Sequence, residues 1–167
     1  MEKIKKILAP TDFSELSQVG VRYALNLAKS TGAEVTVYHV IIPGDLMQSN
    51  KEVKEEFPGF VPHPLRNPLE TYQRVLARFL KDHFSDHIRQ VSVREKVQVG
   101  VPHKSIVELA ETDGSDLIVI STHGRTGFSH MLVGSVTERV VREAPCPVLS
   151  IHPQAKEKAS EGFVGMT

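Results

Sequence analysis

Two kinds of hydrophobic pattern alternate along the chain. Four short apolar runs, several of them rich in β-branched residues, predict β-strands in the segments KILAP, EVTVYHVII, DLIVI and CPVLSI, and the alternating segment VREKVQVG predicts a fifth strand, third in chain order. Between these runs, apolar residues recur at every third or fourth position, which predicts four helices. The helices are expected to begin near Ser14, residue 69, Pro102 and Ser135, and Gly32 and Gly114 are expected to end the first and the third.

This order of elements predicts one α/β domain. Strands that alternate with helices form βαβ units, and right-handed crossovers then build a parallel sheet with helices on both faces. We expect the strand order 3-2-1-4-5 in residues 1–152, with an irregular insertion at 43–67 and a flexible tail at 153–167. The first and fourth strands would be neighbours where the order reverses, so the loops PTDFS and STHGRTG would face one cleft at the carboxyl edge.

Composition and charge narrow the range of functions. The 167-residue chain has 20 basic and 20 acidic side chains, and this balance argues against a nucleic-acid binder with a broad basic surface. No apolar stretch is long enough to span a bilayer, and the start MEKIKKILAP lacks the apolar core of a secretory signal. Cys146 is the single cysteine, which favours a small core residue and a reducing, cytoplasmic location.

The segment after the fourth strand favours phosphate binding. Gly124, Gly127 and Gly134 let the backbone approach a ligand closely, and consecutive N–H groups in such a loop can form an anion-binding nest. Arg125 adds a fork of donors. A helix that starts near Ser135 adds its exposed amides and its dipole.

A capped helix and a metal site are the alternatives for this segment. Ser135 and Glu138 form S-x-x-E, a capping box that satisfies the first amides of the helix internally, and spacing alone favours it about as much as phosphate binding. His123 and His130 lack a cysteine or acidic partner at a metal-binding spacing, so we expect no metal site there. The chain contains no GxxxxGK[ST], no GxGxxG after the first strand and no G-x-S-x-G, so no catalytic residue is assigned.

Four blocks of the sequence resemble the universal stress protein family. They are ILAPTDFS, the HV near the end of the second strand, VGVPHKSIVELAETDGSDLIVISTHGRTG and GSVTERVVREAPCPVLSI. The resemblance implies the adenine nucleotide α-hydrolase-like fold. Members of this family that bind ATP carry G-x2-G-x9-G followed by Ser or Thr. Gly124, Gly134 and Ser135 match the second part of that signature, and Ser121 stands at its first glycine.

The resemblance also implies a ligand and its contacts. Asp12 and Val40 match positions that hold the adenine and the neighbouring ribose. Together with the residues of the glycine-containing loop, the expected binding residues are Pro10, Thr11, Asp12, Val40, Ser121, His123, Gly124, Arg125, Gly127, Gly134, Ser135, Val136 and Thr137. The ligand would be ATP or AMP, and Mg²⁺ would accompany a triphosphate.

The last strand and the resemblance together imply a homodimer. The segment Val148–Ile151 is apolar, yet it is expected at a sheet edge, where unpaired backbone groups favour pairing with a second copy. We therefore expect a cytoplasmic stress-response protein that acts as a dimeric sensor or regulator on a protein partner the sequence does not identify. The alternatives are a non-nucleotide dimeric interaction module of the same fold and a weak ATP-hydrolysing enzyme.

Overall fold

A computed structural model of the chain describes residues 3–46, 67–123 and 133–152. Its elements are β1 (Lys6–Pro10), α1 (Glu15–Thr31), β2 (Glu34–Ile41), α2 (Pro68–Ile88), β3 (Val93–Val99), α3 (Pro102–Asp113), β4 (Leu117–Ser121), α4 (Ser135–Glu143) and β5 (Val148–Ile151). The five predicted strands and four predicted helices are all present, in the predicted order along the chain. Most of the expected insertion, residues 47–66, and the expected tail at 153–167 lie outside the described residues.

The five strands form one parallel sheet in the order β3-β2-β1-β4-β5, which confirms the predicted order. In the centre of the sheet, Ile7 of β1 lies opposite Val35 of β2 on one side and Leu117 of β4 on the other. The chain winds outward from β1 to β3 and then crosses back to β4 and β5. The winding direction therefore reverses between β1 and β4, and a crevice forms at the carboxyl ends of these two strands.

Alternation along the strands divides the core between the two faces of the sheet. Ile7 and Ala9 belong to a cluster that contains α1 and α2, whereas Leu8 belongs to a second cluster that contains α3 and α4. Every residue of β4 is buried. Helices on both faces explain why the LIVI segment at 117–120 is apolar throughout.

Local capping fixes where the helices begin and end. α1 begins after Ser14, whose hydroxyl accepts a hydrogen bond of 3.1 Å from the Ser17 amide. It ends at Gly32, and α3 ends at Gly114, with φ angles of 73° and 62° that favour glycine. Both predicted stops are confirmed. α2 has a kink at Phe84 that the spacing did not predict.

Within the described ranges, no helix combines the length and the apolar character needed to cross a membrane. Cys146 packs partly buried against the α3–α4 cluster, and burial raises the pKa of its thiol. A small core residue was predicted, and the structure places Cys146 at the margin of this cluster.

Candidate functional site

A cavity of about 230 Å³ lies at the carboxyl ends of β1 and β4, at the predicted crevice. The expected binding residues that line it are Pro10, Thr11, Asp12, Val40, Ser121, His123, Gly134, Ser135, Val136 and Thr137. Gly124, Arg125 and Gly127 lie outside the described residues. The fold thus brings three separate segments around one hollow: the β1–α1 loop, the end of β2, and the chain on either side of the β4–α4 connection.

Asp12 forms the turn that precedes α1. Its Oδ1 accepts hydrogen bonds from the Ser14 amide (3.0 Å) and the Ser14 hydroxyl (2.5 Å). Ser14 in turn caps α1. Asp12 also lines the cavity. Asp12 is therefore a turn residue and also a residue that a ligand in the cavity can reach.

Thr11 is fixed to its neighbours through its amide and its hydroxyl. Its amide donates to the Tyr38 carbonyl of β2 at 2.8 Å. Its hydroxyl oxygen accepts from the Phe13 amide at 3.1 Å and lies 2.9 Å from the Ser17 hydroxyl. Phe13 has a φ of 66°, a left-handed conformation that is uncommon for a bulky side chain. Such strain persists only where surrounding contacts determine the backbone, and it is concentrated at ligand-facing loops.

Ser121 ends β4 and joins it to α1. Its hydroxyl donates to the Leu16 carbonyl at 2.6 Å and accepts from the Gly20 amide at 3.1 Å, so it bridges one turn of the helix. A methyl group at Gly20 would lie only 2.9 Å from the amide nitrogen of Ser121, which explains the glycine at this position of the helix. The serine that stands at the first signature glycine therefore has a packing partner in α1.

The start of α4 differs from the capping-box interpretation. Gly134 is the N-cap and Ser135 is the first helical residue, and among the described residues no side chain caps the helix. Glu138 forms an ion pair with Arg142 at 2.9 Å instead. The Gly134 amide donates to the Thr122 carbonyl at 2.6 Å, so the cap residue is bonded to the chain just after β4. The structure does not have the capping box, which the spacing left open as an alternative, and the first turn of α4 lines the cavity.

Part of the cavity wall was not predicted from the sequence. The additional residues are Ser17, Tyr38, His39, Ile42, Asp45, Pro102, Ile106 and Ile120. Strand alternation places Tyr38 on the same face of β2 as Val40, and this signal alone identifies Tyr38 as a wall residue. Pro102 and Ile106 belong to α3, whose approach to this edge depends on packing across the sheet. No local pattern encodes that approach.

The cavity combines apolar walls with a few polar groups. Val40 and Ile106 supply apolar surface. The Tyr38 hydroxyl donates to Gln98 Oε1 at 3.0 Å, and burial raises the pKa of Tyr38 to about 12, so the phenol stays neutral. Asp12 adds a hydrogen-bond acceptor, and the amide end of α4 favours negative charge. This combination suits a ligand with a flat apolar part, hydroxyl groups and an anionic group.

His123 adds a polar side chain where β4 ends. Its Nδ1 lies 2.9 Å from the Thr122 hydroxyl, and its ring centroid is 5.6 Å from that of His152. Across the part of the chain that the structure describes, no three His, Cys, Asp or Glu side chains are grouped so that they could hold a metal ion. Because His123 lines the cavity, it adds polar groups to the wall.

The sequence is similar to proteins of one family. The sequence model of the universal stress protein family matches residues 3–152. Universal stress protein MJ0577 of Methanocaldococcus jannaschii is 31% identical over 159 residues, which cover 88% of this chain and 94% of that protein. Universal stress protein MJ0531 of the same organism is 33% identical over 162 residues, which cover 92% and 85%.

Solved structures of this family share the fold. The structure of MJ0577 matches with a TM-score of 0.66 at 31% identity and covers 90% of this chain and 97% of that one. The universal stress protein from Archaeoglobus fulgidus, solved in complex with dAMP, matches with a TM-score of 0.56 at 21% identity over 90% and 99% of the two chains. The matches agree with the predicted adenine nucleotide α-hydrolase-like fold.

Proposed function

The chain belongs to the universal stress protein family, and from this premise we propose that it is a cytoplasmic regulator that binds ATP or AMP in the cavity between β1 and β4. The observation that carries the proposal is this cavity, whose wall combines the Asp12 turn, the apolar end of β2 and the amide end of α4. The dAMP complex of a family member from Archaeoglobus fulgidus supports an adenine nucleotide as the ligand.

Each part of the cavity suits one part of the nucleotide. Adenine needs an apolar slot with a few polar groups at its edge, and Val40 and Ile106 provide apolar surface. The Asp12 carboxylate can accept hydrogen bonds from ribose hydroxyls. The phosphates would lie against the first amides of α4. Further phosphate contacts that the sequence supports are Gly124, Arg125 and Gly127. A triphosphate would bind as its Mg²⁺ complex.

The proposed regulator is a homodimer that forms through β5. This strand is last in the sheet order, so among the described strands it pairs only with β4. Val148 and Leu149 are half-buried. The edge therefore offers backbone groups and apolar surface that a second copy can cover, and the dimer would act on a regulatory protein partner. Sedimentation velocity of the full chain measures the oligomeric state directly.

The role of the α4 amides can be tested without removing the helix. Proline is tolerated at the first helical residue, and the φ of −68° and ψ of 155° at Gly134 suit a residue that precedes proline. Ser135→Pro deletes the Ser135 N–H and leaves the helix intact. We expect the Kd for ATP to rise about tenfold to a hundredfold, because one charge-assisted hydrogen bond to the phosphates is lost. The Kd for adenosine should change little, because adenosine has no phosphate.

Isothermal titration calorimetry with ATP, AMP and adenosine measures these affinities, and circular dichroism checks the helix content. Ser135→Ala is the matched control, because it removes the hydroxyl and keeps the amide, and we expect its Kd for ATP to stay within about threefold of wild type. If wild-type protein gives no heat with ATP or AMP in the presence of Mg²⁺, the nucleotide proposal is wrong and the dimeric interaction module remains. Equal losses of ATP and adenosine affinity in Ser135→Pro would contradict the role of the α4 amides.

A further inference from the structure

A histidine of the cavity wall joins the loop that carries Asp12 to β2. His39 is 3% exposed, and its Nδ1 lies 2.8 Å from the carbonyl oxygen of Thr11. A carbonyl oxygen can only accept a hydrogen bond, so Nδ1 carries a proton and donates it. The tautomer of the buried ring is therefore set by the backbone of the β1–α1 loop.

The His39 ring also packs against two aromatic side chains. Its centroid lies 4.1 Å from that of Phe13 and 5.3 Å from that of Tyr72. Phe13 continues the contact to Phe79 of α2 at 5.4 Å. Phe13 is also the residue with the left-handed φ of 66°. The left-handed backbone and the stacked ring thus belong to the same residue, and the contacts of the ring with His39 and Phe79 are among those that can hold this conformation.

Two consecutive residues of β2 form hydrogen bonds with the two backbone groups of Thr11. The Tyr38 carbonyl accepts from the Thr11 amide at 2.8 Å, and the His39 ring donates to the Thr11 carbonyl. Val40, the proposed adenine contact, is the next residue of the same strand. Asp12, the proposed ribose contact, follows Thr11. The two halves of the proposed nucleoside site are thus connected through His39.

We infer that His39 is a positioning residue for the cavity. Through Thr11 and Phe13 it fixes the Asp12 carboxylate at one distance from Val40 before any ligand enters. The ligand part of this inference rests on the proposed nucleotide function, whereas the control of the β1–α1 loop by His39 can be measured without a ligand.

Two substitutions separate the hydrogen bond of His39 from its ring. His39→Phe keeps an aromatic ring against Phe13 and removes the donor to Thr11. His39→Asn removes the ring and keeps an N–H donor, because the Asn amide nitrogen is bonded to Cγ as Nδ1 is in histidine. The control is Phe84→Leu, which alters a buried ring at the far end of the same aromatic network, 5.7 Å from Phe79.

Amide hydrogen exchange of the ligand-free protein is the first measurement. We expect His39→Phe to speed exchange at the Phe13 and Ser14 amides at least about tenfold, since the loop opens more often once Thr11 is released. His39→Asn should keep most of this protection. Phe84→Leu should speed the exchange of these two amides only as far as it lowers the global stability of the protein. In wild-type protein, the ¹⁵N spectrum of His39 should show a slowly exchanging proton on Nδ1.

Calorimetry with ATP is the second measurement. We expect the Kd to rise about tenfold in His39→Phe, less than about threefold in His39→Asn, and not at all in Phe84→Leu. Wild-type exchange at Phe13 and Ser14 in His39→Phe, or a His39 proton found only on Nε2, would overturn the inference. If wild-type protein does not bind ATP but His39→Phe alone releases the loop, the proposed function fails and the role of His39 in the loop stands.

Discussion

At the amino edge of the sheet, where β1 and β4 begin, the Asp116 carboxylate accepts hydrogen bonds from the amides of Lys5 and Lys6 at 2.8 and 2.9 Å. At the carboxyl edge, where the same two strands end, the Asp12 carboxylate accepts from the amide and the hydroxyl of Ser14. Both aspartates thus bind backbone groups beside a strand of the central pair. Only Asp12 also lines a cavity.

The difference between the two edges lies in what their hydrogen bonds connect. At the amino edge, the Asp116 amide donates to the Lys6 carbonyl at 2.9 Å, so the bonds tie β1 directly to the start of β4. At the carboxyl edge, the Thr137 hydroxyl donates to the Ser121 carbonyl at 2.8 Å, which ties β4 to the wall formed by α4. Bonds of the first kind stabilise the sheet, whereas bonds of the second kind also set the shape of a hollow. An aspartate bound to backbone groups is present at both edges, so residue type alone does not tell a bond that only stabilises the sheet from one that also shapes a cavity.

The largest effect is expected at the carboxyl edge, where α1 touches β4. Alanine has about 1 kcal/mol more helix propensity than glycine, but a methyl group at Gly20 would clash with the Ser121 backbone at 2.9 Å. We expect Gly20→Ala to lower the free energy of unfolding by about 1–2 kcal/mol, as overpacking does. It should also weaken ATP binding, because α1 begins at the cavity wall. Urea denaturation and calorimetry measure the two effects.

Gly44→Ala is the matched control for this substitution, because no described atom lies within 4 Å of the position its methyl group would take. We expect its free energy of unfolding to stay within about 0.5 kcal/mol of wild type. If Gly20→Ala proved as stable as wild type, the close contact between α1 and β4 would not constrain the cavity.

At the amino edge, a smaller effect confined to stability is expected. Asp116→Asn removes the charge that the Lys5 and Lys6 amides bind, and because the site is exposed we expect a loss of only about 0.5–1 kcal/mol at pH 7. ATP affinity should not change, since Asp116 lies at the opposite edge from the cavity. A change in ATP affinity would show that the two edges are coupled.

The pH dependence of this amino-edge contribution has a definite sign. Hydrogen bonds from the amides of Lys5 and Lys6 lower the pKa of Asp116 from its ordinary value of 3.8. A lowered pKa in the folded state means that the stabilisation is present above 3.8 and is lost as the pH falls through the lowered value. The difference in stability between wild type and Asp116→Asn should therefore shrink below about pH 4, as acid-denaturation curves can measure.

The smallest effect is expected at the start of α4. Since Glu138 pairs with Arg142 on an exposed helix surface, Glu138→Ala and Arg142→Ala should each lower the free energy of unfolding by less than about 0.5 kcal/mol. A capping box would predict a larger loss in Glu138→Ala alone, about 1 kcal/mol. That result would show that a side chain of α4 binds the first amides of this helix. The backbone amides at the carboxyl edge would then be hydrogen-bonded within the protein, as those of Lys5 and Lys6 are at the amino edge.

Much of the fold could be predicted because its signals are local. The boundaries of α1 follow from Ser14 and Gly32, which act within one turn of the helix they delimit. The alternation of Ile7, Leu8 and Ala9 between two core clusters follows from the two-residue period of a strand. The strand order was expected for a doubly wound sheet of alternating strands and helices, and the structure has that order.

The sequence by itself therefore determined the elements, their order and the segments that meet at the carboxyl edge. Only the tertiary structure decided how those segments meet. The Ser121 hydroxyl finds Leu16 and Gly20 more than 100 positions earlier in the chain, and the His39 ring finds Thr11, 28 positions away. A hydrogen bond needs a partner within about 3 Å, and the spacing of residues along one strand or helix says nothing about which distant backbone group arrives at that distance.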